Sequence, residues 1–136
     1  MDLTTGIFET VESLRKARLT ELEAGTAYGE AKARNTGISA QIEARIKHVI
    51  AMAYNEGKIE GGNAQTRQAA ETLIINEDQH VKELTGTLAD ANTHEMNKAD
   101  EYEKAKIQRR YFEDLLSAQR AVLISQGSNV VINTVD

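Results

Sequence analysis

Asn55-Glu56-Gly57-Lys58-Ile59-Glu60-Gly61-Gly62-Asn63 is the stretch that decides the fold. It is the densest glycine cluster in a proline-free chain, and it separates two long runs of helical apolar spacing. Glycine costs helix stability and asparagine is a good N-cap, so the first helical run is expected to stop near Asn55 and the next to start after Asn63. The stretch reads as the hinge of a helical hairpin.

Upstream of the hinge, Ile7, Val11, Leu14, Leu19 and Leu22 recur at helical spacing, with Thr4 or Thr5 as the cap and Glu9 and Glu12 near the positive end of the helix dipole. Gly25, Gly29 and Gly37 weaken this run, but Ala27, Ala31, Ile38, Ile42, Ile46, Val49 and Ala53 keep its period. One long bent helix, or two end to end, is expected there. Downstream, Ala69, Ala70, Leu73 and Ile74 make a short apolar face, and Asn76-Glu77-Asp78-Gln79 resembles a fresh N-cap, which places a break within 75–78. A last helix then follows from about Glu77 to Ser125, carried by Val81, Leu84, Leu88 and Ala91 and later by Phe112, Leu115, Leu116, Val122 and Leu123. Gly127 sits where a C-cap belongs, and the β-branched residues after it imply an extended or disordered tail over 127–136. The expected fold is all-α: an elongated, coiled-coil-like antiparallel helical hairpin, a single domain over 1–126 with its hinge at 55–63, ending in a short extended tail.

Composition agrees with a thin aliphatic seam. The 136 residues are 40% hydrophobic, with two Phe, four Tyr and no Trp, and long helices paired along a narrow seam need fewer large apolar residues than a globular bundle. Cysteine is absent, which excludes disulfides, thiolate metal sites and cysteine nucleophiles. Neither a signal peptide nor a long uncharged apolar run is present, so an intracellular protein with no membrane association is expected. A net charge of -5 opposes tight nonspecific binding to duplex DNA, whose affinity comes from neutralising phosphates.

Charge order suggests a register. If Asn55 and Ala64 face each other across the turn, equal rise along two helices sets Arg18 near Glu101, Lys16 near Glu103, Glu9 near Arg110 and Glu21 near Lys98. The same matches could form between two copies of the chain.

Gly57, Ile59, Gly61, Asn63 and Arg67 form the pattern G-x-I-x-G-x-N-x-x-x-R, followed by a short helix, an acidic break and a long charged helix with Phe112 near its end. Over roughly residues 45–124 this resembles a family of small, functionally obscure helical proteins encoded by tailed bacteriophages and prophages, often near genes for replication, recombination or single-strand binding. Members of that family often carry proline after the acidic break, where this chain has Asn76-Glu77-Asp78-Gln79-His80. The resemblance implies a phage accessory protein in the host cytoplasm and supplies no catalytic residues or cofactor.

Catalytic and ligand signals are weak by comparison. Glu77 and His80 make the i,i+3 unit of ferritin-like dimetal sites, but a second such unit and further glutamates are missing, and Asp90 with His94 could chelate only weakly. The serines lie in no nucleophile motif, and the hinge lacks the G-K-[ST] of a phosphate loop. No metal or cofactor is expected. Lys104, Lys106, Arg109 and Arg110 with Tyr111 are the strongest nucleic-acid candidates, offering four cations and a ring on which a base can stack. The opposing reading, a solvated face paired with Glu9 and Glu12, weighs more because the acidic neighbours cancel the potential. The expected function is a non-enzymatic protein acting through protein partners and self-associating, and the resemblance implies a phage protein with DNA replication or recombination as its setting. The alternatives are a virion assembly component, a counter-defence protein that binds a host factor and, more remotely, a metal-binding four-helix protein.

Overall fold

The computed structural model describes residues 2–127, and among these the chain is all-α and hairpin-like in its order of elements. Helix α1 spans Leu3–Asn55, α2 spans Ala64–Glu77 and α3 spans Gln79–Gln126. Gly127 ends α3, its N–H donating to the Leu123 carbonyl at 2.9 Å, and the rest of the expected tail lies outside the described residues. Among the described residues no helix is long and apolar enough to cross a membrane.

The N-cap of α1 is Asp2, not Thr4 or Thr5. Its Oδ1 accepts from the Thr5 N–H at 2.7 Å, and a carboxylate at this end also meets the positive pole of the helix dipole. The hydrogen bond from the Thr5 backbone holds the Asp2 carboxyl below its ordinary range. Helix α1 then runs through Gly25, Gly29 and Gly37 as one element. Gly29 and Gly37 face open space on exposed turns, so they cost propensity and remove no packing.

Two compact units divide the chain. The first joins residues 1–28 to 98–136. On α1 its buried and half-buried positions include Ile7, Thr10, Leu14, Ala17, Glu21, Ala24 and Tyr28; on α3 they include Tyr102, Ala105, Arg109, Phe112, Leu116, Gln119 and Leu123. Steps of three and four alternate strictly along both, the repeat of a left-handed coiled coil. Arg18 meets Glu113, Glu21 meets Arg109 and the Tyr28 ring meets Tyr102, so the helices run antiparallel. Gly25 lets the Tyr102 ring close on α1: a Cβ there would stand 3.1 Å from its Cε1.

The second unit covers residues 29–97. Ala31, Asn35, Ile38, Ile42, Arg45 and Val49 on α1 face the same repeat on α3, Val81, Leu84, Leu88, Ala91 and Glu95, with Ile59 of the hinge buried as well. Helix α2 has no fully buried residue and contributes Ile74 and Ile75 half-buried.

Several expectations need correcting. The α1 seam takes Thr10, Ala17, Glu21 and Ala24, while Val11, Leu19 and Leu22 are exposed; on α3, Val122 is exposed too. Five of the eleven buried hydrophobic residues among those described are alanine, so small side chains that admit a close approach fill nearly half of these positions. None of the four expected ion pairs forms. Glu21 pairs with Arg109, about three helical turns beyond Lys98, and Arg18 pairs with Glu113 rather than Glu101. Lys98 and Glu101 instead pair with each other, and Glu103 pairs with Lys106. The offset is already present before α3 begins, where the Tyr54 hydroxyl of α1 donates to Glu71 of α2 rather than standing opposite Gln65.

Candidate functional site

Every element of the hinge motif except Gly61 has a structural task. The chain leaves α1 through a Schellman turn: the Lys58 N–H donates to the Ala53 carbonyl at 2.9 Å, the Gly57 N–H donates to the Tyr54 carbonyl at 3.2 Å, and Gly57 takes the left-handed conformation at φ 71. Ile59 folds back into the unit and is buried. Asn63 caps α2, its Oδ1 accepting from the Thr66 N–H at 2.9 Å and from the Thr66 hydroxyl at 3.0 Å. One turn later the Arg67 guanidinium donates to the Gly62 carbonyl at 2.8 Å, tying the loop to the helix that follows it. Nothing in the structure explains Gly61, which meets open space. The motif builds a hinge, and these interactions leave Asn63 and Arg67 engaged within the loop.

The corner between α2 and α3 lies at the break expected from Asn76-Glu77-Asp78-Gln79, but its tie to α1 carries no sequence signal. Asp78 is at once the C-cap of α2, its N–H donating to the Ile75 carbonyl, and the N-cap of α3, its Oδ2 accepting from the Val81 N–H at 2.9 Å. The break thus falls within 75–78, but Asp78 and not Asn76 is the cap. Arg45 of α1 clamps the same carboxylate, and this pairing, with the Val81 N–H second, holds the Asp78 carboxyl below its ordinary range. Val49, Met52, Ala53 and Ile74 floor a surface cleft beside this corner, with the Arg45–Asp78 and Glu56–Lys58 pairs on its rim.

The basic run does not assemble into a groove. Lys106 pairs with Glu103 at 2.9 Å and stands 4.0 Å over the Tyr102 ring. Arg109 is bound by Glu21 at 2.7 Å and by Glu113 at 3.0 Å; in turn it depresses the Glu21 carboxyl. Lys104, Arg110 and Tyr111 are exposed, and the Tyr111 ring lies edge-on to Phe112 at 5.1 Å. Two of the four cations are thereby neutralised by carboxylates.

Among the described residues no three His, Cys, Asp or Glu side chains gather as metal ligands; His80 faces Glu83 at 3.9 Å. Asn35 is buried in the seam, where its Nδ2 donates to Glu95 Oε1 at 2.8 Å while its Oδ1 finds no partner within the chain. A polar residue at such a position fixes register at a cost in stability.

Large apolar side chains stand outside the seams. On α1 in the first unit these are Phe8 (69% exposed), Val11, Leu19 and Leu22 (67%). On α3 in the same unit they are Ile107 (61%), Tyr111 (58%), Val122 (46%) and Ile124 (61%). Sequence reading assigned Val11, Leu19, Leu22 and Val122 to the core; the strict seven-residue repeat of the neighbouring small residues is the signal that separates them from it. No protein-family model, no curated protein and no solved structure matches this chain.

Proposed function

We propose that the chain is a non-enzymatic accessory protein that works by binding another protein through the outer face of α1. The observation that carries this reading is the exposure of Phe8, Val11, Leu19 and Leu22, which lie outside the seam and recur along the first turns of one helix. Apolar side chains left on water at helical spacing mark a surface for another macromolecule. The setting, phage DNA replication or recombination in the host cytoplasm, rests on the resemblance carried by Gly57, Ile59, Gly61, Asn63 and Arg67. Direct action on nucleic acid is the weaker reading, because Glu21, Glu103 and Glu113 occupy Lys106 and Arg109.

The test is cross-linking in infected cells with the wild type and with Phe8→Asp/Leu22→Asp, followed by identification of the linked proteins. A replication or recombination protein captured by the wild type and lost in the variant, with helicity unchanged, is the expected result. Capture of capsid or tail proteins alone would move the chain to virion assembly. Identical capture by both forms would remove the α1 face from the mechanism.

A further inference from the structure

Phe8, Val11, Arg15, Arg18, Leu22 and Gly25 follow one another on α1 at steps of three, four, three, four and three. Each stands one residue after a seam position of the first unit, about 100° further round the helix, so the seven-residue repeat of the seam is written a second time on the side where Arg18 meets Glu113. Its end layers are apolar or small, and its middle layer is cationic. The side chains of Arg15 and Arg18 are 66% and 62% exposed. We infer that this face takes an α-helix of another protein, wound along α1 as in a coiled coil, whose contact stripe is apolar at both ends and carries carboxylates between them. The inference rests on the proposed binding through the outer face of α1 and adds the chemistry of the partner.

A seven-residue repeat on one helix stays in contact only with another helix that winds along with it. From Phe8 to Leu22 the stripe rises about 21 Å, so the occupant needs about four turns. Gly25 leaves out a side chain at the far end, and a recess of about 480 Å³ opens there beside Leu22, Thr26 and the Tyr102 ring, with room for one large apolar side chain of the partner. Charge decides the middle layer. Glu12 binds Arg15 at 2.7 Å and Glu113 reaches Arg18 at 3.7 Å, but ion pairs this exposed hold weakly, so a partner carboxylate that shuts water out takes either guanidinium readily. The same line on α3 adds the exposed Arg110 and Arg120, while its carboxylates, Glu103 and Glu113, are already bound by Lys106 and Arg109. A second copy does not fit this face. Reversed in direction the stripe falls on itself with Arg15 opposite Arg18, so a two-fold pair would press like charges together at its centre. Nucleic acid would use the arginines and leave Phe8, Val11 and Leu22 on water.

The test uses two labelled helical peptides of about 20 residues that differ only in the middle layer. Both carry leucine at the end layers of a seven-residue repeat on a neutral background, one with two glutamates between and the other with two lysines. In fluorescence anisotropy the glutamate peptide should bind the full-length chain about tenfold more tightly than the lysine peptide. Arg15→Glu/Arg18→Glu should reverse that order with helicity unchanged by circular dichroism, and Phe8→Asp/Leu22→Asp should lose the glutamate peptide. Equal binding of the two peptides, an order that survives the charge reversal, or no binding of either at several hundred micromolar would overturn the inference. So would a wild-type dimer in sedimentation equilibrium that Phe8→Asp/Leu22→Asp dissolves, which gives the face to a second copy, or a single-stranded oligonucleotide that binds more tightly than the glutamate peptide at physiological salt. Partner capture in cells that is lost in Phe8→Asp/Leu22→Asp and kept in Arg15→Glu/Arg18→Glu would leave the proposed function standing and overturn the acidic partner alone. Glutamate-peptide binding indifferent to Phe8→Asp/Leu22→Asp would remove the α1 face and both readings with it.

Discussion

Arg45 and Asp78 form a two-point ion pair, Nη2 to Oδ1 at 2.9 Å and Nε to Oδ2 at 3.1 Å, on the one residue that both ends α2 and starts α3. The pairing fixes where α3 leaves the corner and therefore which of its faces meets α1 within the second unit. A planar guanidinium that grips both carboxylate oxygens gives direction as well as attraction, which a lysine at position 45 would not.

This geometry sets a pH dependence. The folded Asp78 carboxyl titrates below the ordinary aspartate value of about 3.9, so between the two values the unfolded chain binds more protons and stability rises with pH. The contribution is complete above about pH 5 and is lost as pH falls through the folded value. Asp78→Asn keeps a capping oxygen and loses the charge pairing. Its thermal midpoint should fall below that of the wild type at pH 7, with the gap closing toward pH 3; a gap independent of pH would assign the effect to the cap alone.

The left-handed backbone at Gly57 gives a second test. Gly57→Ala should lose about 1–2 kcal/mol in urea unfolding, since φ 71 is strained for any side chain although space is open around it. Gly61→Ala, with open space and no positive φ, should stay within about 0.5 kcal/mol of the wild type. Asn63→Ala should cost about 1 kcal/mol through the lost cap.

Glycines along α1 should separate by what they face. Gly29→Ala and Gly37→Ala should each stabilise by about 0.5–1 kcal/mol through helix propensity. Gly25→Ala should gain less or lose, because its Cβ would press on a Tyr102 ring that already meets Tyr28 on one side and Lys106 on another. Thermal midpoints of the three variants, ranked against one another, check this.

Replacing the polar pair in the second unit by Asn35→Leu with Glu95→Leu should raise the thermal midpoint and loosen register, as apolar layers pack in more than one alignment. Spin labels placed on α1 and α3 of that unit should then show a broader distance distribution than in the wild type. Asn35→Leu alone should destabilise, since the Glu95 carboxylate keeps its place in the seam without a donor.

Much of the hinge is legible in sequence because its determinants are local. A glycine that must turn left-handed, an asparagine that caps and an arginine one turn on act within a few residues of themselves. The seams are harder to read. Their positions are held by Thr10, Ala17, Ala31, Asn35 and Ala105 as often as by Leu14 or Leu116, so a search for large apolar side chains selects Val11, Leu19 and Leu22, which point away. Register is less local still, because it depends on how far the chain travels through the hinge and the corner before α3 meets α1, and no single short stretch records that distance. Net charge likewise gave no sign that Lys106 and Arg109 turn toward carboxylates while Lys104 and Arg110 do not.

The double duty of Asp78 constrains how this gene can change in length. No spare backbone separates Glu77 from Gln79, so an insertion or deletion at the corner has no loop in which to vanish. One residue gained or lost after Asp78 would turn α3 by about 100° and carry Val81, Leu84 and Glu95 off the face that meets α1. Lineages descending from a common ancestor should therefore carry their indels at the exposed turn between Glu60 and Gly62, or as whole seven-residue blocks, and keep the spacing from Asp78 to Val81 fixed.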